Sequence, residues 1–315
     1  MSTRVRIGVA GAGVFGGYHC SKVSEHPKAV LSGVFDIDGA RASSLAEKNS
    51  SVSYLDYSAM LEATDAVIVA AAANAHFALA SEALARGRHV FVEKPITLTT
   101  HEADALIALS NEQGVILQAG HQERYVAAAA GLLDRKTPPH KIDCIRHTMA
   151  SGRCEDVSVV LDLMVHDLDL IRMLTQSEIN TIEAHGGQHE AKAELQLTNG
   201  AVISLSASRR APTPERRMTL VYDDGIVEFD FVNRKTTNTT ETRLVSDFAE
   251  AEAPAAFRDP LAFGADAFIN AILNSRAPIV TGADAREALA WAQRIEAAAA
   301  IGPAASTEAQ ERRRA

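Results

Sequence analysis

The sequence predicts an α/β chain of two domains, a doubly wound parallel sheet followed by an α/β domain with a largely antiparallel open sheet. Three observations carry this. An apolar run, Val5-Arg6-Ile7-Gly8-Val9-Ala10, leads into Gly11-Ala12-Gly13-Val14-Phe15-Gly16, which reads as buried strand, tight turn and helix start. Strand and helix patterns then alternate over roughly the first 120 residues, as a parallel sheet with crossover helices requires. Beyond that point come β-type runs joined by Asn199-Gly200 and Asp223-Asp224-Gly225, both hairpin signals. The expected boundaries are 1–120 and 121–315, with a frayed tail from about residue 303.

Each glycine of the first loop has its own task. Gly11 permits the turn, Gly13 lets backbone approach a ligand's phosphates, and Gly16 lets helix and strand pack closely. The first amides of the helix, at Val14 and Phe15, face an anion, so the loop reads as a dinucleotide-binding Rossmann fingerprint. A second strand, 29–36, ends in Asp36, roughly 20 residues on, where a carboxylate accepts from ribose hydroxyls. Its charge repels a 2′-phosphate, which favours NAD over NADP, although the nearby Arg41 is the kind of residue that tolerates that phosphate.

Composition bounds the rest. The 315 residues are 47% hydrophobic and 23% charged, a globular composition with room for two cores. A formal charge of −9 argues against general binding to nucleic acid or an anionic membrane. Three cysteines, Cys20, Cys144 and Cys154, form no Cys-x-x-Cys pair and suit a reducing compartment. No signal-peptide pattern and no membrane-length apolar run is visible. A soluble cytoplasmic protein is expected.

In chain order, Asp38 caps a helix, and 65–70 is an uncharged strand suited to burial on both faces. A helix over 75–86 stops at Gly87, and the strand 88–92 delivers Glu93-Lys94-Pro95 at its carboxyl end, where ligands of such sheets lie. Thr99-Thr100-His101-Glu102 is a capping box, and 114–118 is a last strand. In the second half, helices are predicted over 125–135, 159–174, 257–274 and 284–300, and strands over 141–149, 179–186, 191–197, 201–208, 217–222 and 226–231. The 159–174 helix carries Asp162, His166 and Asp169 at spacings that share one face.

Glu93-Lys94-Pro95 after a nucleotide-binding fold, followed by Asp162-x-x-x-His166, resembles the glucose–fructose oxidoreductase, inositol dehydrogenase and MocA family across nearly the whole chain. Gly120-His121-Gln122-Glu123-Arg124-Tyr125, the run from Arg153 to Asp169, and Ser208-Arg209 resemble its branch acting on UDP-linked N-acetylglucosamine. One departure is Ala71-Ala72-Ala73 before Asn74-Ala75-His76, where many relatives have Thr-Pro. The resemblance implies oxidation of the sugar's 3-hydroxyl with NAD, ahead of an aminotransferase in diamino-sugar synthesis for lipid A or other surface glycans. It also implies a homodimer or homotetramer assembled through the open sheet.

Under that reading His166 is the base, since imidazole titrates near neutrality. Lys94 stabilises the oxygen as it gains alkoxide character. Asp162 orients the imidazole or binds a sugar hydroxyl. Gly11, Gly13, Val14, Phe15, Gly16, Asp36, Ala71, His76, Glu93 and Lys94 are the cofactor-binding candidates, and Arg124, Tyr125, Arg153, Asp162 and Arg209 the substrate-binding ones. Arginines suit a diphosphate because they donate in pairs, and Arg210, Arg216 and Arg217 are further candidates. Asp162, His166 and Asp169 are also legitimate divalent-metal ligands, but no metal is expected. Two alternatives stay open: a dehydrogenase of another nucleotide sugar or a free polyol, and a regulatory protein that senses NAD without turnover.

Overall fold

The computed structural model describes residues 4–150, 156–233, 235–245 and 254–302. They divide into two compact units, one drawn from 1–122 with 259–286 and the other from 123–258 with 287–315.

The first unit is a six-stranded parallel sheet of β1 (Val5–Ala10), β2 (Ala29–Phe35), β3 (Ser53–Tyr54), β4 (Ala66–Val69), β5 (His89–Val92) and β6 (Leu117–Ala119). Their order is β3-β2-β1-β4-β5-β6, so the chain reverses direction across the sheet between β1 and β4. That is the crevice where open α/β sheets bind ligands. β4 is buried along its whole length, as its uncharged sequence requires. The helix α1 (Val14–Glu25) follows the glycine loop. The helix Thr100–Gln113 opens with the full reciprocal capping box of Thr99 and Glu102 and stops at Gly114 in the left-handed region (φ 63°).

A single boundary near 120 does not describe the chain, because the helix Pro260–Asn274 returns to the first unit. Its Phe268 and Ile269 join Ile7, Val9, Ile68 and Phe91 in one core. Ion pairs Lys22–Asp259 (2.8 Å) and His26–Asp266 (3.0 Å) fasten it to α1 and the residue after it. The β-strand spacing of the second half masks this return, since an apolar helix near the end carries no mark of which core it fills.

The second unit is a seven-stranded sheet of β7 (Lys141–His147), β8 (Ile179–Gly186), β9 (Glu190–Leu197), β10 (Val202–Ser208), β11 (Glu215–Tyr222), β12 (Gly225–Asp230) and β13 (Lys235–Asn238), in the order β13-β12-β11-β7-β10-β9-β8. All neighbours are antiparallel except β7 and β10. In β9, Ala191, Ala193, Leu195 and Leu197 are buried while Glu190, Lys192, Glu194 and Gln196 are exposed, the alternation of a sheet covered on one face. Gly225 sits at φ 145° with Thr239 O at 2.8 Å from where a Cβ would stand, so the β11–β12 turn demands glycine.

Two helices differ from expectation. The 125–135 segment is a helix only over Gln122–Ala129, because Gly131 turns to φ 80° before a 3₁₀ turn at Leu132–Asp134. The 159–174 segment begins as a π-helix, Val160–Met164, in which Val165 N–H reaches back five residues to Val160 O, and continues as the α-helix Val165–Thr175. The polar strand β13 carries too little hydrophobic alternation to be read from sequence. Cys20 and Cys144 are buried free thiols, and burial pushes Cys20 up to about 12; Cys154 lies outside the described residues. Among the described residues no helix is long and apolar enough to cross a membrane.

Candidate functional site

In the first unit the loop after β1 is shaped by what a side chain would strike. A Cβ at Gly11, which sits at φ 108°, would lie 2.5 Å from Ala70 O, and one at Gly16 would collide with Gly11 O. A Cβ at Gly13 would meet nothing within 4 Å. Gly13 is the N-cap of α1 with no side-chain cap, the first turn carries no acid, and Val14 and Phe15 are exposed. A helix start with no side-chain cap and no acid, beside open space at a glycine, fits a pyrophosphate.

Asp36, at the end of β2, ties this loop down. Its Oδ2 accepts from Ala12 N (2.7 Å) and its Oδ1 from Asp38 N (2.8 Å). Each carboxylate oxygen keeps a second lone pair, which is what ribose hydroxyls need. Arg41 is turned to Asp38, with Nε donating to Oδ2 at 2.9 Å, and stands 3.8 Å from Asp36. The residues present therefore fit NAD.

At the end of β5, Glu93 is buried and its Oε1 lies 2.7 Å from His19 Nε2 on α1. Gly120 backs the carboxylate, since a Cβ there would fall 2.7 Å from Glu93 Oε2. Burial opposes ionisation of Glu93, but the hydrogen bond from His19 and the charges of His19, Lys94 and His76 outweigh it and hold the carboxyl below its usual range. Lys94 follows, half-buried, and the Lys94–Pro95 bond is cis.

His76 differs from the expectation that its ring adjoins a cofactor. It is 1% exposed, with Nδ1 2.7 Å from Pro95 O and Nε2 3.1 Å from Ala71 O. The ring is a clamp between the half-buried Ala71 loop and the backbone after Lys94, and burial lowers its pKa despite both carbonyls. Any influence on a ligand passes through the segments it holds.

In the second unit a cluster of charged side chains lies around His166. The imidazole, 13% exposed, has Nδ1 2.6 Å from Glu123 Oε2. Glu123 Oε1 also meets Arg146 Nη1 (3.2 Å) and Arg216 Nη2. Arg146 in turn grips Asp167 with two bonds of 3.0 and 2.6 Å. Asp162, expected to orient the imidazole or bind a sugar hydroxyl, has its Oδ2 3.6 Å from Arg209 Nη1.

Three further residues expected at the substrate are largely buried in this structure. Arg124, 3% exposed, is held by Asp169 through a bidentate pair that includes Nε to Oδ2 at 3.0 Å. The pair joins the buried Arg124 guanidinium to the buried Asp169 carboxylate. Arg209, 7% exposed, spends Nη2 on Val157 O (2.8 Å) and Gln188 O (2.5 Å), so it ties backbone segments together. Tyr125 is 1% exposed and packs as core. Arg153 lies outside the described residues.

Sequence reasoning passed over Glu123 and Arg146. Glu123 stands inside the Gly120-to-Tyr125 run but was read only as part of it. Arg146 was legible: Ile142, Cys144 and Arg146 share the inward phase of β7, and a charge on that phase demands a buried partner.

Comparison with known proteins agrees with this architecture. Residues 5–121 match the model of the oxidoreductase family with an NAD-binding Rossmann fold, and residues 146–228 match the GFO/IDH/MocA C-terminal domain. A UDP-N-acetylglucosamine 3-dehydrogenase of Acidithiobacillus ferrooxidans is 32% identical over 305 residues, covering 93% of this chain and 97% of that protein. Its solved structure aligns with a TM-score of 0.85 over 94% of this chain and 97% of that one. A myo-inositol 2-dehydrogenase of Thermotoga maritima is 26% identical, over 90% of this chain and 93% of the relative. The chain belongs to the glucose–fructose oxidoreductase, inositol dehydrogenase and MocA family, and is an oxidoreductase whose N-terminal Rossmann domain binds NAD.

Proposed function

We propose that this enzyme oxidises the 3-hydroxyl of UDP-linked N-acetylglucosamine to the 3-keto sugar, which an aminotransferase then consumes in making diamino sugars for lipid A or another surface glycan. The observation that carries this reading is the 32% identity to a UDP-N-acetylglucosamine 3-dehydrogenase across nearly the full length of both chains. When bound, NAD supplies the hydride acceptor.

The remaining work falls to the protein. His166 takes the hydroxyl proton, a task suited to an imidazole that titrates near neutrality. Lys94, at the carboxyl end of β5, supplies the positive charge that stabilises the oxygen as it gains alkoxide character. Asp162 is assigned to a sugar hydroxyl. With Arg124 and Arg209 committed to internal partners, the diphosphate falls to guanidinium groups that keep solvent access. Among the described residues these include Arg210 and Arg217. Assembly into a dimer or tetramer is part of this reading, which light scattering would test; a monomer at micromolar concentration would remove that part.

The deciding experiment follows absorbance of reduced nicotinamide after purified protein and NAD meet UDP-N-acetylglucosamine, UDP-glucose, UDP-N-acetylglucosaminuronic acid or myo-inositol, with 2-oxoglutarate added in parallel. A rise only with the first supports the reading. A rise only with the uronic acid or the polyol keeps the chemistry and replaces the substrate. No rise with any, alongside tight NAD binding, favours a sensor.

A further inference from the structure

We infer that Glu123 is the positioning residue for His166, holding a proton on Nδ1 so that Nε2 is the basic nitrogen. This rests on the reading of His166 as the base, but its physical content is a property of the imidazole and is measurable without turnover. The contact is 2.6 Å between Glu123 Oε2 and His166 Nδ1, and the carboxylate is buried.

The rest of the cluster explains why the carboxylate stays ionised beside that ring nitrogen. Glu123 Oε1 faces two guanidinium groups, Arg146 from β7 at 3.2 Å and Arg216 from β11. Two adjacent cations favour the ionised carboxylate. An ionised carboxylate fixed on one side of an imidazole selects the tautomer and stabilises the imidazolium that forms when the other nitrogen is protonated. Arg146 is itself anchored by Asp167, so Oε1 has fixed partners and Oε2 is directed to the ring. The other charged groups on the same helical run are already matched, Asp162 facing Arg209 and Asp169 facing Arg124. Glu123 is thus the carboxylate that sets the ring's tautomer.

The test is ¹⁵N–¹H correlation NMR of the full chain labelled with ¹⁵N-histidine, with His166 identified by its loss in His166→Gln. The wild type is expected to show His166 as the Nδ1–H tautomer. In Glu123→Gln the tautomer preference should be lost and the titration midpoint of His166 should fall by about 1 to 3 pH units. Arg216→Met removes a cation from Glu123 and should move the midpoint the opposite way, so a folded protein with readable sign remains even if Glu123→Gln fails to fold. In parallel, Glu123→Gln should lower kcat about tenfold to a hundredfold with little change in KM, and Glu123→Asp should restore part of it.

An unchanged His166 tautomer and midpoint in Glu123→Gln would overturn the inference whatever the substrate proves to be. Midpoint shifts of the expected signs in a protein that turns over none of the tested sugars would uphold the Glu123–His166 coupling and reject the proposed function instead.

Discussion

The chain uses the same buried pair twice, histidine against glutamate, and the two copies do different work. His19 and Glu93 are 2.7 Å apart in the first unit, and His166 and Glu123 are 2.6 Å apart in the second. His19 has no solvent access; its ring stands edge-on to Phe91, with centroids 5.2 Å apart, and its Nδ1 finds no hydrogen-bond partner among the described residues. His166 keeps part of its ring open, and its glutamate is itself gripped by two arginines. A histidine sealed on every side fastens α1 to the end of β5 and thereby holds the backbone at Lys94. His166, braced by Glu123 on its Nδ1 side and 13% exposed, is the histidine proposed above as the base. The difference lies in what surrounds the pair, not in the pair.

The largest way to break that contrast is at the open ring. His166→Ala should lower turnover on the order of a hundredfold or more with NAD binding intact, read by steady-state rates and cofactor titration. Normal turnover would end its assignment as base. The sealed ring should respond in the other currency. His19→Leu leaves the Glu93 carboxylate buried without its partner and should cost about 3 kcal/mol of stability, read as a shifted denaturant midpoint. A stability unchanged by His19→Leu would mean that the pair contributes nothing to the fold.

The glycine loop sharpens the same division between structure and ligand. Gly16→Ala would drive a Cβ into Gly11 O and should prevent correct folding of the first unit. Gly13→Ala meets only open space, so it should leave the melting temperature unchanged. Its effect should appear as weaker NAD binding, about tenfold or more, because the backbone approach to phosphate is lost. Equal loss of stability in both variants would contradict the distinction.

The smallest expected effect concerns pH. His89 has its pKa lowered by burial, from an ordinary value of 6.5, and its Nδ1 accepts from Ile116 N at 3.0 Å. His76 is lowered by burial as well. A group whose folded pKa lies below its unfolded value binds its proton more readily when unfolded. Both histidines therefore contribute stability that is present above pH 6.5 and is lost as pH falls below it. Glu93 adds a second loss further down, as pH falls from 4.5 through its depressed folded value. Urea unfolding across this range should show the decline, and His89→Asn, which retains an acceptor but does not titrate, should flatten the upper part.

What was legible in the sequence was local. The strand, loop, helix and acid from Val5 to Asp36 are written in period-two apolar spacing and glycines, and the Thr99–Glu102 box forms as its spacing implies. The second sheet's hairpins follow from Asn199-Gly200 and Asp224-Gly225. The charges were less legible, because an arginine's role depends on partners far along the chain. Arg124 meets Asp169 after 45 residues, and Arg209 meets the carbonyl of Val157 after 52. From sequence, both look like solvent-facing donors suited to a diphosphate. The π-helical turn at Val160–Met164 was hidden for a related reason. Val160-Leu161-Asp162-Leu163-Met164 has ordinary helical composition, and only the packed structure shows Val165 reaching back to Val160.

The proposed reaction oxidises one carbon of one sugar nucleotide. One test supplies UDP-N-acetylglucosamine deuterated at C3, with samples deuterated at C2 or C4 and protiated at C3 as controls, and examines the reduced cofactor by mass spectrometry. The account predicts that deuterium enters the reduced nicotinamide from the C3-labelled substrate alone, with slowed turnover. Reduced cofactor that carries only protium from that substrate, or deuterium arriving from C2 or C4, would contradict it.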